Sequence, residues 1–173
     1  MNHGRRIGVV IPARNEELHI VDVLTGLPSM VDMAVVVNDG STDSTGELAQ
    51  SVETHCKVVV IEGNGDGVGA SIDRGHRWLL EQWETPFISV VMAGDGQMNP
   101  DDMEALVQPI LLNRADHVKG NRSLHADGYN RMPKQRQRAS AVLSWFTTLA
   151  AGQPVGDPPV SYTHLTLPTI LSV

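Results

Sequence analysis

Short runs of apolar residues alternate along this chain with longer segments in which apolar residues recur at helical spacing. The short runs predict strands at residues 7–11, 33–37, 57–61, 87–91 and 116–119. Runs of this length bounded by turn residues are typical of strands buried on both faces of a sheet. The longer segments predict helices that end near residues 26, 52, 83 and 113, and a last helix over about 134–151. Strands that alternate with helices imply parallel βαβ units, so the pattern predicts an α/β fold with a doubly wound, mostly parallel sheet flanked by helices.

Turn-forming residues mark where these helices should begin. Asn15 is expected to cap the first helix, with Glu16 in its first turn, where the helix N-terminus favours a negative charge. Ser41 or Asp43 is expected to cap the second helix, and Pro100 suits the first turn of the fourth. The pattern shows no repeat and no linker, so residues 1–158 are predicted to form one domain.

Composition narrows the class of protein. The 173 residues suffice for one domain with a core, and 41% of them are hydrophobic. The net charge of −7 argues against a general nucleic-acid binder, so no nucleic-acid partner is expected. Cys56 is the only cysteine, which excludes an internal disulfide and fits a reducing compartment. No stretch reaches the roughly 18 apolar residues of a membrane span, so we expect a cytoplasmic protein that at most touches a membrane surface.

Acidic side chains follow three of the predicted strands at the point where each strand ends. Glu16 follows the first strand, Asp39 the second and Asp95 the fourth. In open α/β sheets, ligands bind in the crevice beyond the carboxyl ends of the strands. Acidic and amide groups beside tight glycine turns suit a sugar nucleotide, and the acidic segment after the fourth strand suits a metal ion. The sequence therefore predicts a nucleotide site at this edge of the sheet.

Five short motifs, taken together and in order, resemble the family 2 glycosyltransferases of the GT-A fold. Within that family the resemblance is to the dolichol- and polyprenyl-phosphate sugar transferases, and it covers residues 7–158. The motifs are PARNE at 12–16, NDGSTD at 38–43, DGQ at 95–97, GNR at 120–122, and RMPKQRQR at 131–138 with Ser140 after it. The resemblance implies an enzyme that transfers a sugar from a nucleotide-sugar donor to a polyprenyl phosphate, with inversion at the anomeric centre and with Mg²⁺ or Mn²⁺ as cofactor.

The first three motifs imply the donor site. In the family, the turn that holds Pro12, Ala13 and Glu16 contacts the nucleoside, with the glutamate near the ribose. Asp39 matches an aspartate that accepts a hydrogen bond from the base, a task that suits an acceptor-only carboxylate. Asp95 matches an aspartate that binds the donor diphosphate through a divalent ion.

Gln97 can add an oxygen ligand to that ion. Ala93 stands where many relatives carry a further aspartate, so the motif has one carboxylate fewer in this chain. The choice of metal and its affinity therefore stay open, and a simple turn aspartate is the alternative interpretation of Asp95.

The last two motifs imply the acceptor site. Arg122 matches an arginine that faces phosphate. Arg136 and Ser140 lie four residues apart, on one helix face, and match an arginine and a serine that hold the lipid phosphate. The other basic residues of this run form either a solvated face or a contact with an anionic membrane surface. Asp157 matches an aspartate near the acceptor and is the candidate catalytic residue, with a turn residue before proline as the alternative.

The last residues resemble a translated sequencing adapter. Residues 160–169 read VSYTHLTLPT, which matches one reading frame of a transposase adapter. Residues 159–173 are therefore expected to be a non-native tail, to be excluded from the fold. Residues 1–158 would then be the C-terminally truncated, N-terminal part of a longer protein, whose remainder could include membrane helices. A natural strand rich in threonine and leucine is the alternative.

Two other functions stay open. A sugar nucleotidyltransferase uses a related scaffold, but it would normally carry a glycine-rich loop with arginine and lysine directly after the first strand, where this chain has PARNE. A non-catalytic nucleotide-binding fragment is the other alternative, because of Ala93 or because of truncation. The glycine-rich segment 63–69 follows the third strand, outside the context of a dinucleotide fingerprint, and is expected to be a flexible loop beside the diphosphate.

Overall fold

A computed structural model describes residues 5–84, 86–120 and 165–166 of the chain. The chain forms two compact units, of which the first comprises Met1–Val118 with Tyr162–Val173 and the second Lys119–Ser161. Of the second unit, only Lys119 and Gly120 are described. All described helices and strands belong to the first unit. The division into a domain of residues 1–158 and a tail stays a prediction.

Strands and helices alternate through the first unit, as the sequence pattern predicts. The strands are β1 (Arg6–Ala13), β2 (Met33–Asn38), β3 (Lys57–Glu62), β4 (Phe87–Val91), β5 (His117–Val118) and β6 (Leu165–Thr166). The helices are α1 (Ile20–Thr25), α2 (Thr45–Ser51), α3 (Val68–Gln82) and α4 (Met103–Leu111), the last preceded by a 3-10 turn at Pro100–Asp102. Among the described residues, no helix is long and apolar enough to cross a lipid bilayer.

The strands form one sheet in the order β3-β2-β1-β4-β6-β5. β1 pairs in parallel with β2 and β4, β2 pairs in parallel with β3, and the short β6 pairs antiparallel with β4 and β5. The chain builds outward from β1 to β3 and then crosses to place β4 on the other side of β1. This reversal opens a crevice at the carboxyl ends of β1 and β4. The doubly wound, mostly parallel sheet predicted from the sequence is confirmed.

Apolar side chains bury both faces of the sheet. Val9 and Ile11 of β1 belong to the cluster that packs against α1, α2 and α4, whereas Val10 packs with Leu79 of α3 on the opposite face. Helix α3 approaches β1 so closely at Gly75 that an added Cβ would collide with the side chain of Val10. Because both faces are covered, the central strands need apolar residues at every position, which explains their continuous runs.

The first helix begins later than predicted. α1 begins at Ile20, and its N-cap position is His19. Asn15 has a left-handed φ of 57°, so the backbone there cannot continue into a helix. The carbonyl of Glu16 accepts the N–H groups of His19 and Ile20, at 2.9 Å each, in a turn that precedes α1. The prediction that Asn15 caps this helix was therefore wrong.

Two further sequence predictions concern the C-terminal part of the chain. The helix predicted over about 134–151 lies outside the described residues. Leu165 and Thr166 form β6, in which Thr166 pairs with Ser89 of β4 and with His117 of β5. The pairing does not test where the tail sequence comes from, so a non-native origin of residues 159–173 stays a prediction.

Candidate functional site

Three carboxylates lie on the loops beyond the carboxyl ends of β1, β2 and β4, which are neighbours in the sheet. They belong to Glu16, Asp39 and Asp95. The backbone joins these loops, because the N–H of Asp39 donates to the carbonyl of Ala13 at 2.9 Å and the N–H of Gly94 donates to that of Pro12 at 3.2 Å. The carbonyls of Pro12 and Ala13 thus fix the relative positions of the three loops.

Side chains connect the loop after β1 to the loop after β2. We call residues 14–17 and 41–45 the paired loops. Asn15 Oδ1 accepts the N–H of Thr42 at 2.8 Å, and the N–H of Asn15 donates to Ser41 Oγ at 3.1 Å. Four further hydrogen bonds cross between the loops: Thr42 Oγ1 to Asn15 Oδ1 at 3.3 Å, Glu16 N to Thr45 Oγ1 at 2.8 Å, Glu17 N to Asp43 Oδ2 at 3.2 Å, and Ser44 N to Glu17 Oε2 at 3.2 Å. The left-handed backbone of Asn15, which asparagine tolerates better than most residues, allows this reciprocal pairing.

Asp43 supports the start of α2, although the N-cap position itself is Ser44. Asp43 Oδ1 accepts the N–H of Thr45 at 3.0 Å and the Thr45 hydroxyl at 2.5 Å. Desolvation alone would raise the pKa of Asp43, but the hydrogen bonds from Thr45 and from the N–H of Glu17 together outweigh it and lower that pKa. The carboxylate of Asp43 therefore stabilises both the first turn of α2 and the contact between the paired loops.

The carboxyl group of Glu16 lies in an environment that disfavours its negative charge. Partial burial raises the pKa of its carboxyl, and the negative charges of Asp95 and Asp43 raise it as well, against the opposing effect of His19. The carboxylate of Glu16 accepts no hydrogen bond from the residues that the structure describes. Glu16 and Asp95 thus lie close enough for their negative charges to interact. Hydroxyl donors or a cation would be favoured beside the Glu16 carboxylate.

The loop after β4 is folded tightly around Asp95. Asp95 Oδ1 accepts the N–H of Gln97 at 3.0 Å, and the N–H of Ala93 donates to Met98 Sδ at 3.2 Å. Gly96 has a φ of 69°, which closes the turn. Within residues 5–84 and 86–120, no three acidic, histidine or cysteine side chains are grouped as a metal site. Among the described residues, the side chains of this loop that offer oxygen ligands to a cation are Asp95 and Gln97.

Asp39 makes a contact that sequence reasoning missed. Its carboxylate accepts the N–H of Gly65 at 2.9 Å through Oδ1 and the N–H of Gly67 at 2.8 Å through Oδ2. The residue is only 5% exposed. The segment 63–67, which we call the glycine-rich loop, is thus tied to the aspartate that was predicted to contact the base. Three glycines within five residues after a strand were the available signal.

The acceptor residues predicted from the sequence cannot be placed. Arg122, Arg136, Ser140 and Asp157 lie outside the described residues. Their roles stay predictions.

Comparison with known proteins assigns the family. Residues 8–164 match the model of the family described as Glycosyl transferase family 2. A UDP-N-acetylglucosamine--dolichyl-phosphate N-acetylglucosaminyltransferase of Methanococcus voltae is 30% identical over an alignment of 166 positions, which covers 87% of this chain and 65% of that protein. Glycosyltransferase AglJ of Haloferax volcanii is 30% identical over 115 residues, which are 66% of this chain and 35% of that protein.

Solved structures share the fold. A glucosyl-3-phosphoglycerate synthase from Mycobacterium tuberculosis in complex with UDP superposes with a TM-score of 0.66 at 25% identity, over 95% of this chain and 57% of that one. The same enzyme with Mn²⁺, UDP and phosphoglyceric acid gives a TM-score of 0.67 at 23% identity, over 95% of this chain and 56% of that one. The chain thus spans little more than half the length of these structures, and less than two thirds of the two curated relatives. The family match, which covers most of the sequence, shows that this chain belongs to glycosyl transferase family 2 and has its GT-A fold.

Proposed function

We propose that this chain belongs to an enzyme that moves a sugar from a nucleotide-sugar donor to a polyprenyl phosphate. The observation that carries the proposal is the position of Glu16, Asp39 and Asp95 on three neighbouring loops at the carboxyl edge of the sheet. The Methanococcus voltae relative, whose name includes a dolichyl-phosphate acceptor, supports the choice of acceptor. The Mycobacterium tuberculosis structures with UDP support a nucleotide-sugar donor.

The donor is proposed to bind along this edge. Pro12, Ala13 and Glu16 would contact the nucleoside, with the Glu16 carboxylate accepting hydrogen bonds from ribose hydroxyls. Asp39 would accept a hydrogen bond from a ring N–H of the base. The raised pKa of Glu16 supports this role, because a carboxylate short of donors gains most from new ones.

Mg²⁺ or Mn²⁺ is the proposed cofactor, held by Asp95 and Gln97. The donor set fits, because Asp95 Oδ2 is left without a hydrogen-bond donor among the described residues and hard divalent cations prefer carboxylate and amide oxygens, completed by substrate phosphates and water. When bound, the ion supplies positive charge against the negative charge that develops on the departing diphosphate. Ala93 leaves the protein fewer charged ligands than relatives that carry the further aspartate.

The proposed reaction is one displacement that inverts the anomeric centre. An oxygen of the acceptor phosphate forms a bond to the anomeric carbon while the bond from that carbon to the diphosphate oxygen breaks, and the nucleoside diphosphate leaves with the electron pair. Because the acceptor is already an oxyanion, a strong general base is not required. Arg122, Arg136 and Ser140 are proposed to hold the acceptor phosphate, with Asp157 as the catalytic residue on the acceptor side. Because the acceptor is a lipid, the enzyme is proposed to act at the cytoplasmic surface of a membrane.

Transfer itself tests the proposal. The purified chain, incubated with Mn²⁺, a short-chain polyprenyl phosphate and a panel of nucleotide sugars, should form a polyprenyl-phosphate sugar that mass spectrometry detects. Donor binding without any product would instead support the non-catalytic alternative. The family assignment argues against the sugar nucleotidyltransferase alternative, which would release a nucleotide sugar from a sugar phosphate and a nucleoside triphosphate.

The metal site has its own test. Asp95→Asn should weaken UDP binding strongly in Mn²⁺ and little in EDTA, because it removes the charged ligand of the motif. Ala93→Asp should hold or raise the Mn²⁺-dependent affinity. Glu104→Gln removes an exposed carboxylate from α4 and is the matched control for charge. Equal affinity of the wild type and Asp95→Asn in Mn²⁺ would contradict the assignment.

The acceptor residues can be tested in the same way. Arg136→Ala or Arg122→Ala should weaken binding of a short-chain polyprenyl phosphate by roughly ten- to a hundredfold, the equivalent of losing a charged hydrogen bond, and should spare UDP binding. Arg136→Lys should recover only part of the loss, because an ammonium group cannot make the two-pronged contact. Arg138→Ala is the control, and an equal loss there would show a non-specific basic surface.

A further inference from the structure

The glycine-rich loop is attached to the rest of the fold at few points. Gly63 donates its N–H to the carbonyl of Asn38 at 2.8 Å, and Gly65 and Gly67 donate theirs to Asp39. Asp66 adds only a long ion pair to Arg74, at 3.7 Å, between partly exposed side chains. Two backbone amides on one carboxylate therefore fix the middle of this loop.

The backbone of the loop is shaped for this contact. Gly65 and Gly67 have φ values of 77° and 92°, which side chains disfavour. A Cβ added to Gly63 would lie 2.5 Å from Asp39 Oδ1, so the loop passes directly over the carboxylate. A Cβ added to Gly65 or Gly67 would meet no described atom within 4 Å, so this side of the loop is open, whereas a Cβ added to Gly40 would lie 3.6 Å from the Cα of Gly65. Gly67 is the N-cap residue of α3, and its carbonyl accepts the N–H and the hydroxyl of Ser71 at 3.1 Å each, so the loop can leave Asp39 while it stays attached to α3.

The contact also hides the group that the donor base needs. Asp39 is 5% exposed beneath the loop, and both of its oxygens already accept a hydrogen bond. The carboxylate has about four lone-pair sites, so hydrogen-bonding capacity alone does not exclude a base, but a planar base that donates a ring N–H to Asp39 needs the space above the carboxylate that the loop now fills. Base and loop thus compete for one side chain.

We propose that the glycine-rich loop is a gate latched by Asp39, and that a nucleotide opens it by replacing a loop amide on that carboxylate. This inference rests on the proposed nucleotide donor. In the free protein the latched loop closes the base site. Binding therefore includes the free energy of opening, which lowers the apparent affinity. Asp39 acts on the loop as a positioning residue and on the base as a direct contact.

Amide exchange with and without UDP tests the gate in the intact chain. Addition of UDP and Mn²⁺ should speed exchange of the Gly65 and Gly67 amides by about tenfold or more, while amides of β1 and β2 stay slow. Gly65→Pro removes one latching N–H and cannot adopt a positive φ, so its loop should stay open. This variant should bind UDP roughly three- to tenfold more tightly, by isothermal titration.

Asp66→Asn is the matched control, because it removes the ion pair on the same loop and leaves both latching amides. Its UDP affinity and its Gly65 and Gly67 exchange should equal those of the wild type. UDP binding with unchanged or slower exchange at Gly65 and Gly67 would overturn the gate and leave the proposed function standing. Failure of UDP, and of the other common nucleoside diphosphates in its place, to bind both the wild type and Gly65→Pro would overturn the nucleotide donor, and the gate with it. If Gly65→Pro does not fold, exchange in the wild type decides.

Discussion

The paired loops and the glycine-rich loop lie at the same edge of the sheet and are held in different ways. The paired loops exchange hydrogen bonds in both directions, and the central hydroxyl, that of Thr45, is fully buried. The glycine-rich loop has few side chains, and two of its amides bind one carboxylate, that of Asp39. The difference indicates that the paired loops hold Glu16 in place, whereas the glycine-rich loop can be released by a single competitor for Asp39.

Removal of the hydroxyl at Thr45 should give the largest effect on stability. Thr45→Val keeps the volume but leaves the N–H of Glu16 without its acceptor and removes one of the two donors to Asp43 Oδ1, so unfolding should require about 1–3 kcal/mol less. Urea denaturation measures this change. Thr45→Ser should retain most of the stability, and a Val variant as stable as the wild type would show that the paired loops are not held through Thr45.

Asn15 contributes through its backbone and its side chain. Asn15→Ala should cost about 1–2 kcal/mol, because alanine disfavours a left-handed φ and cannot accept from Thr42. Asn15→Gly should cost less, since glycine keeps the φ of 57° without strain. If the two variants are equally stable, the left-handed backbone conformation of residue 15 does not contribute to the difference in the free energy of unfolding.

A variant of Asp39 should separate the two regions most clearly. Asp39→Asn weakens the anchoring of two amides, yet the free energy of unfolding should fall by less than about 1 kcal/mol, because the loop opens before the rest of the protein does. Exchange of the Gly65 amide should become much faster at the same time. A loss of stability as large as that of Thr45→Val would mean that both regions unfold as one unit.

The smallest effects concern pH and have opposite signs within the paired loops. The pKa of Asp43 is lowered on folding, so its stabilising contribution is present above the unfolded value and is lost as the pH falls through the folded value. The pKa of Glu16 is raised, so its ionisation destabilises the fold as the pH rises above the ordinary glutamate pKa of 4.5. Relative to the wild type, Asp43→Asn should therefore lose stability at pH 7 but little in strong acid, and Glu16→Gln should gain at pH 7. Denaturation series across pH check both signs.

Much of the fold could be predicted from local sequence. The strands β1 to β4 follow from valine- and isoleucine-rich runs, because a strand covered on both faces needs apolar residues throughout. The start of α1 could not be predicted, because the side chain of Asn15 accepts the N–H of Thr42 on a separate loop, 27 residues later in the chain. Residue preferences at helix N-caps contain no information about a hydrogen-bond partner so far away in the chain. The strand β6 lies in residues 159–173, which were expected to be a tail outside the fold with a natural strand as the alternative, and its pairing with β4 and β5 is not encoded in the local sequence.

The residues of the candidate site could be predicted from the sequence, but their contacts could not. The sequence by itself determined which residues carry charge at the ends of the strands, because Glu16, Asp39 and Asp95 follow apolar runs in a βαβ pattern whose geometry brings those ends together. Only the tertiary structure decided what each carboxylate touches. Asp39 binds amides 26 and 28 residues away, and Glu16 senses Asp95 across the crevice. Hydrogen bonds and charges act over a few ångströms in space, so distance along the chain carries no information about them until the sheet is formed.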